Sequence, residues 1–243
     1  MPGPFNPTIA MITLRAVISR RRALLFAITP LILIALTIVL KASRPPSAPW
    51  PGRILGDFGF SVLLPLTALI IGTGVLGAEI EDGSVIHLLA TPVRRSSVIT
   101  TKFVVALALT IVFTAVPELI AGLIATGGLT RLAVGLFAGA LAGSVIYTAV
   151  FVMASVLTTR AIAVGLLYVL IWEGVLANFV GGARVLSVGH YSLGVANAIA
   201  PNPDLNAGLT LATSLFMGAI VTVAALALAV RCLSAFAIKG ESA

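Results

Sequence analysis

The stretch Glu79-Ile-Glu-Asp-Gly-Ser-Val-Ile-His-Leu-Leu-Ala-Thr-Pro-Val-Arg-Arg-Ser-Ser-Val-Ile-Thr-Thr-Lys102 lies between two uncharged apolar runs, Phe58 to Ala78 and Phe103 to Thr126. A helix rising about 1.5 Å per residue needs roughly 20 apolar residues to cross about 30 Å of hydrocarbon, so each flanking run predicts a membrane span. The 24 residues between them then form a loop at one membrane face. Working outward, four more runs meet the same rule: Ala23 to Leu40, Leu132 to Leu157, Ala161 to Val180 and Leu209 to Val230. Six spans take more than half of the 243 residues and leave short connections. The fold class expected is an all-α membrane protein, a single transmembrane domain over residues 1–243.

Composition agrees with a chain solvated by lipid. Only 9% of residues are charged, against about 25% in a soluble domain, while 59% are hydrophobic and the mean hydropathy is +1.15. Disorder, a collagenous chain and a disulfide scaffold are excluded, and the single Cys232 has no internal partner. The net charge of +7 is read as an orientation signal rather than a nucleic-acid footprint. With the N-terminus inside, Arg15, Arg20, Arg21, Arg22, Arg94, Arg95, Lys102, Arg160, Arg231 and Lys239 are cytoplasmic. Lys41, Arg44, Arg53, Arg131 and Arg184 are then outside. Ten against five predicts a protein of the cytoplasmic (inner) membrane with both termini in the cytoplasm. The basic residues before the first span resemble a signal peptide, but no small-residue cleavage site follows Lys41, so the run is expected to stay as an anchor.

Thr8 to Arg22 reads as an amphipathic interfacial helix with Leu14, Val17 and Ile18 on its apolar side; the alternative is a frayed basic tail. Pro30, Pro65 and Pro117 predict kinks in the first three spans. Gly135, Gly139 and Gly143 align on one face of the fourth span, where a helix of this chain or of a second copy can approach closely. No internal repeat is found, so an inverted-repeat transporter has no support.

The 24-residue loop divides at Thr91-Pro92, a cap followed by a helix-starting proline. Residues 79–91 before it predict a short helix with an acidic start and an apolar stripe of Val85, Leu88 and Leu89. Glu79, Glu81, Gly83, Ser84, Leu88, Leu89, Thr91-Pro92-Val93, Arg95 and Lys102 resemble the segment after the second span in permease subunits of type-2 ATP-binding cassette (ABC) exporters. There, Glu-x-x-x-Gly-Thr/Ser leads to Leu-Leu, Pro-Val/Ile, Arg and a later Lys. The six-span layout and basic amphipathic start are similar too, and Ser84 stands where Thr is common.

The resemblance implies that 79–91 is a coupling helix, with Glu79, Glu81, Gly83, Ser84, Leu88, Leu89, Pro92 and Arg95 meeting a separate nucleotide-binding ATPase subunit. It also implies that this chain faces a second permease, identical or related, across a translocation path. The chain has no Gly-x-x-x-x-Gly-Lys-Ser/Thr phosphate loop, so ATP and Mg are expected on the partner and no enzymatic activity or cofactor on this chain. The plainer reading of the loop is a solvated connector.

Two acids fall within spans, Glu118 after Pro117 and Glu173 after Trp172, about 22 Å and about 18 Å from the inner ends. Each costs roughly 2.5–3.5 kcal/mol to insert and so asks for a reason. Both could face one cavity; Glu173 with Trp172 suits a cationic or amphipathic substrate, and Glu118 is a second candidate for the path. Alternatively either acid is a structural hydrogen-bonding group. The outer segment 181–208 reads as short helices dipping into the outer leaflet or as an interfacial loop. Rival functions are a self-contained secondary transporter or channel, and an intramembrane serine protease using Ser144, which would need a histidine within a span; His87 and His190 lie in loops.

Overall fold

A computed structural model describes residues 5–18, 20–45, 50–77, 94–179, 181–203, 205 and 208–240. The described chain is helical throughout: α1 Pro7–Val17, α2 Arg20–Ser43, α3 Pro51–Gly74, α4 Arg95–Thr126, α5 Arg131–Leu157, α6 Ala161–Leu176 continued by Ala177–Phe179, α7 Val188–Ile199 and α8 Leu211–Gly240. A 3₁₀ turn, Gly181–Leu186, precedes α7.

Local chemistry sets the ends. Asn6 caps α1, its Oδ1 accepting from the Thr8 and Ile9 N–H groups, with Pro7 in the first turn. Thr130 does the same for α5 through the Ala133 N–H. Gly127, at φ +77°, ends α4 in the left-handed region that an L side chain resists, and its N–H bonds to the Leu123 carbonyl.

Among the described residues, five helical segments are long and apolar enough to cross a membrane: Phe26–Ser43, Pro51–Gly74, Arg95–Thr126, Arg131–Leu157 and Leu211–Ala235. The expected fifth span, 161–180, is instead the shorter apolar helix Ala161–Leu176. With Ala177–Phe179 continuing it, the helix rises about 28 Å, close to the hydrocarbon thickness. Part of α6 is also π-helical, over Tyr168–Leu176. Two further π-helical stretches, Leu55–Leu63 in α3 and Ile111–Ala115 in α4, stop just before Pro65 and Pro117. A proline ring lacks the N–H and clashes with the carbonyl one turn back, and a widened turn relieves both. Pro30 sits within α2 with no such stretch.

Two other expectations change. The interfacial helix predicted over 8–22 ends at Val17, and α2 opens with Arg20. Its buried face is Ile9, Thr13 and Val17, while Leu14 and Ile18 are 36% and 45% exposed. The reason is tertiary: the Asn6 N–H donates to Thr101 Oγ1, which seats α1 against α4 and leaves Leu14 and Ile18 on the outward side. Likewise α4 begins at Arg95, so the last residues of the expected inner loop are helix, and Ser97, Val98, Ile99, Thr101 and Lys102 are buried.

α5 is the central helix, with α3, α4, α7 and α8 packed around it. Hydroxyl pairs join α4 to α5: Thr114 with Ser144 and Thr110 with Thr148, each at 3.1 Å. The small-residue face of α5 receives α7. A Cβ placed on Gly135 would lie 2.8 Å from the Ala196 carbonyl, one on Gly139 would lie 2.6 Å from the Ser192 carbonyl, and one on Gly143 would strike Ser192 Oγ. The close approach at this face is therefore within the chain. Val188 to Ala196 of α7 are all buried, so that part of the outer segment is a packed helix and not an interfacial loop.

Candidate functional site

The two acids sit in different surroundings. Glu173, 3% exposed, lies in the π-helical part of α6. In that register residues five apart come onto one face, which brings Tyr168 round to donate to Glu173 Oε1 at 2.9 Å. The Val188 N–H donates to the same oxygen at 2.9 Å, and the Gly189 N–H donates to Oε2 at 3.3 Å. Ser187 Oγ donates to Oε2 at 2.5 Å and also accepts from the His190 N–H at 3.3 Å. Glu173 therefore holds the first N–H groups of α7, which an isolated helix leaves without partners and which carry its positive dipole end. The fully buried Tyr147 hydroxyl faces the same carboxylate, and Tyr191, tied to the Val185 carbonyl, stands beside it. All three tyrosines of the chain gather around this acid. Trp172 Nε1 donates to the Leu186 carbonyl at 3.2 Å, which ties α6 to the 3₁₀ turn.

Glu118 is 2% exposed, and neither carboxyl oxygen has a hydrogen-bond partner among the described residues. Its carboxyl occupies the space that a side chain at Gly59 of α3 would fill, since a Cβ there would collide with Oε1. Thr29, Pro30 and Leu33 of α2 close the same small cavity, which Glu173 does not line. Among the described residues no cluster of three His, Cys, Asp or Glu could hold a metal ion. Ser144 Oγ is taken up by the Ala140 carbonyl at 2.6 Å and by Thr114.

In the loop between α3 and α4, Glu79, Glu81, Gly83, Ser84, Leu88, Leu89 and Pro92 lie outside the described residues; Arg95, the first residue of α4, is half-buried. Lys102 is fully buried and its Nζ donates to the Val75 carbonyl at 2.6 Å, a cation on the C-terminal end of α3. This bond joins the two helices at the root of the loop. Lys102→Met is expected to remove a charge-assisted hydrogen bond worth about 1.5–3 kcal/mol. The measurement is thermal unfolding in nanodiscs; a melting temperature within about 1 °C of wild type would show that the bond contributes nothing.

Tyr168, Ser187 and Gly59 escape sequence reasoning. Ser187 carries the one readable signal, a serine three residues before His190 at the head of an apolar helix. Tyr168 has no signal, because a five-residue spacing looks unpaired until the helix widens.

No curated protein sequence matches the chain. A family model described as ABC-2 family transporter protein matches residues 18–184, which takes in α2 through α6 and the loop between α3 and α4. An all-helical membrane architecture and a match over two thirds of the sequence lead to one conclusion: the chain belongs to the ABC-2 transporter family, as a multi-pass membrane permease.

Proposed function

We propose that the protein is one permease half of an ATP-driven exporter, paired with a second permease across the path and energised by a separate nucleotide-binding ATPase that grips the loop between α3 and α4. ATP and Mg belong to that partner. The observation that carries the reading is the family match across this loop, taken with the absence of any phosphate loop from the sequence. Buried packing at the loop's roots supports it. Ser97, Val98, Ile99 and Thr101 pack inside the protein, and Lys102 joins the start of α4 to the end of α3. A push on the loop then moves both helices together instead of being absorbed by slack chain. Closure of the ATPase dimer would tip the paired permeases between inward-open and outward-open packings, an exchange between two discrete states.

The test uses the permease with whatever ATPase purifies alongside it, reconstituted in proteoliposomes. ATP hydrolysis blocked by vanadate and seen only with the partner is the expected result. Leu88→Asp and Glu81→Arg are expected to leave membrane insertion and the partner's hydrolysis in place while lowering transport about tenfold, a coupling loss of about 1.4 kcal/mol. Unchanged transport in both variants, or transport by the permease alone on an ion gradient, would sink the reading in favour of a self-contained transporter.

A further inference from the structure

The outer ends of α2 and α3 enclose a cavity of about 510 Å³ that the transport reading leaves unused, lined by Arg44, Trp50, Arg53, Ile54, Asp57 and Phe58. Its volume lies in the ordinary range for small-ligand sites, about 300–1,000 Å³. Arg44 follows the last turn of α2 and Arg53 lies in the first turn of α3, so an arginine from each helix end lines one space. Asp57 follows one turn after Arg53 and lies within its electrostatic reach. Arg44, Arg53 and Asp57 are open to solvent, whereas Trp50 is only 6% exposed and forms a fixed wall.

Each feature narrows the ligand. Paired guanidiniums match the geometry of phosphate oxygens, which they bind through parallel N–H donors. A purely anionic ligand would be repelled by Asp57. A group carrying a positive charge next to its phosphate satisfies the acid as well, and aromatic walls suit an ammonium. The cavity also stands where the apolar stretch of α2 ends, at Lys41 and Arg44, which is the level of lipid headgroups and interfacial aromatics.

We propose that this outer cavity binds a zwitterionic phosphate ester, with its phosphate on Arg44 and Arg53 and its ammonium on Asp57 beside Trp50. The chemistry is shared by a phosphoethanolamine lipid headgroup and by the free, soluble ester. It does not depend on how the transporter is energised.

The full chain in detergent micelles, observed by native mass spectrometry, is titrated with phosphatidylethanolamine, phosphatidylglycerol and diacylglycerol, and separately with free phosphoethanolamine. Wild type is expected to retain phosphatidylethanolamine about tenfold better than diacylglycerol, and Arg44→Gln with Arg53→Gln to lose that advantage. Asp57→Asn is expected to abolish the preference for phosphatidylethanolamine over phosphatidylglycerol while retaining the preference for either over diacylglycerol. Free phosphoethanolamine binding as tightly as the lipid would identify a soluble ligand, and binding of the lipid alone would identify a headgroup site. Equal retention of phosphatidylethanolamine and diacylglycerol by wild type overturns the proposal whether or not the variants fold; so does unchanged retention in the double variant.

Discussion

Glu173→Ala is expected to destabilise the folded protein by about 2–4 kcal/mol and to abolish transport. The carboxylate accepts from the Tyr168 and Ser187 hydroxyls and from the Val188 and Gly189 N–H groups. Alanine leaves these donors in a buried site without an acceptor, at about 1–3 kcal/mol for each that finds no substitute. The two hydroxyls can rotate toward other acceptors; the two N–H groups are fixed at the head of α7 and cannot. Glu173→Gln separates the contributions. Its carbonyl oxygen can still serve Tyr168 and Val188, and Ser187 can turn its hydroxyl to accept from the new amide. Only the Gly189 N–H is stranded, so a loss nearer 1 kcal/mol is expected. Thermal unfolding of both variants in nanodiscs, alongside transport of cationic and neutral substrates, gives the answer. Equal stability of wild type and Glu173→Ala would show that the acid does not hold α7. Loss of cationic transport alone in a stable Glu173→Gln variant would assign the acid to the substrate.

The second large effect is where α7 packs against α5. Gly139→Leu places a side chain where a Cβ alone would lie 2.6 Å from the Ser192 carbonyl, 2.9 Å from Phe60 Cζ and 3.0 Å from Ala196 Cβ. Two of these neighbours belong to α7, one of them backbone, so no rotamer change makes room and the helix itself must move. Overpacking in a dense core costs about 1–3 kcal/mol, and a displaced α7 would also lose its bonds to Glu173. Gly128→Ala is the control: nothing lies within 4 Å of its Cβ position, and an effect within about 0.5 kcal/mol is expected. Melting temperatures of the pair decide it. If Gly139→Leu and Gly128→Ala unfold together, the tight seat of α7 on α5 is wrong.

These two sites show how far the residues could be read in advance. The stripe of Gly135, Gly139 and Gly143 was legible as a packing face, but its occupant was not, since the spacing serves a helix of the same chain or of another equally well. Glu173 was legible as an acid that needed a reason to be in the membrane. Its reason is a helix end brought against it from 15 residues further along the chain. The span limits were closest where caps and turns stand in the sequence: Thr130 before α5, and the Thr158 to Arg160 link between α5 and α6. They were well off at the start of α4, whose first turns are polar in sequence and largely buried in fact, and at the end of α8, which runs on to Gly240.

The amino-acid sequence alone determined the lipid environment, the helical class and the apolar segments, because hydrophobicity and helical spacing are properties of one segment and survive without neighbours. It also carried the family likeness, through motif residues adjacent along the chain. Only the tertiary structure decided that α1 turns Ile9, Thr13 and Val17 inward, that α7 is clamped between Glu173 and the glycines of α5, and that Arg44 and Arg53 share a cavity. Each of these depends on which helices meet, and at what depth, and periodicity along a single helix does not encode the identity of its neighbour.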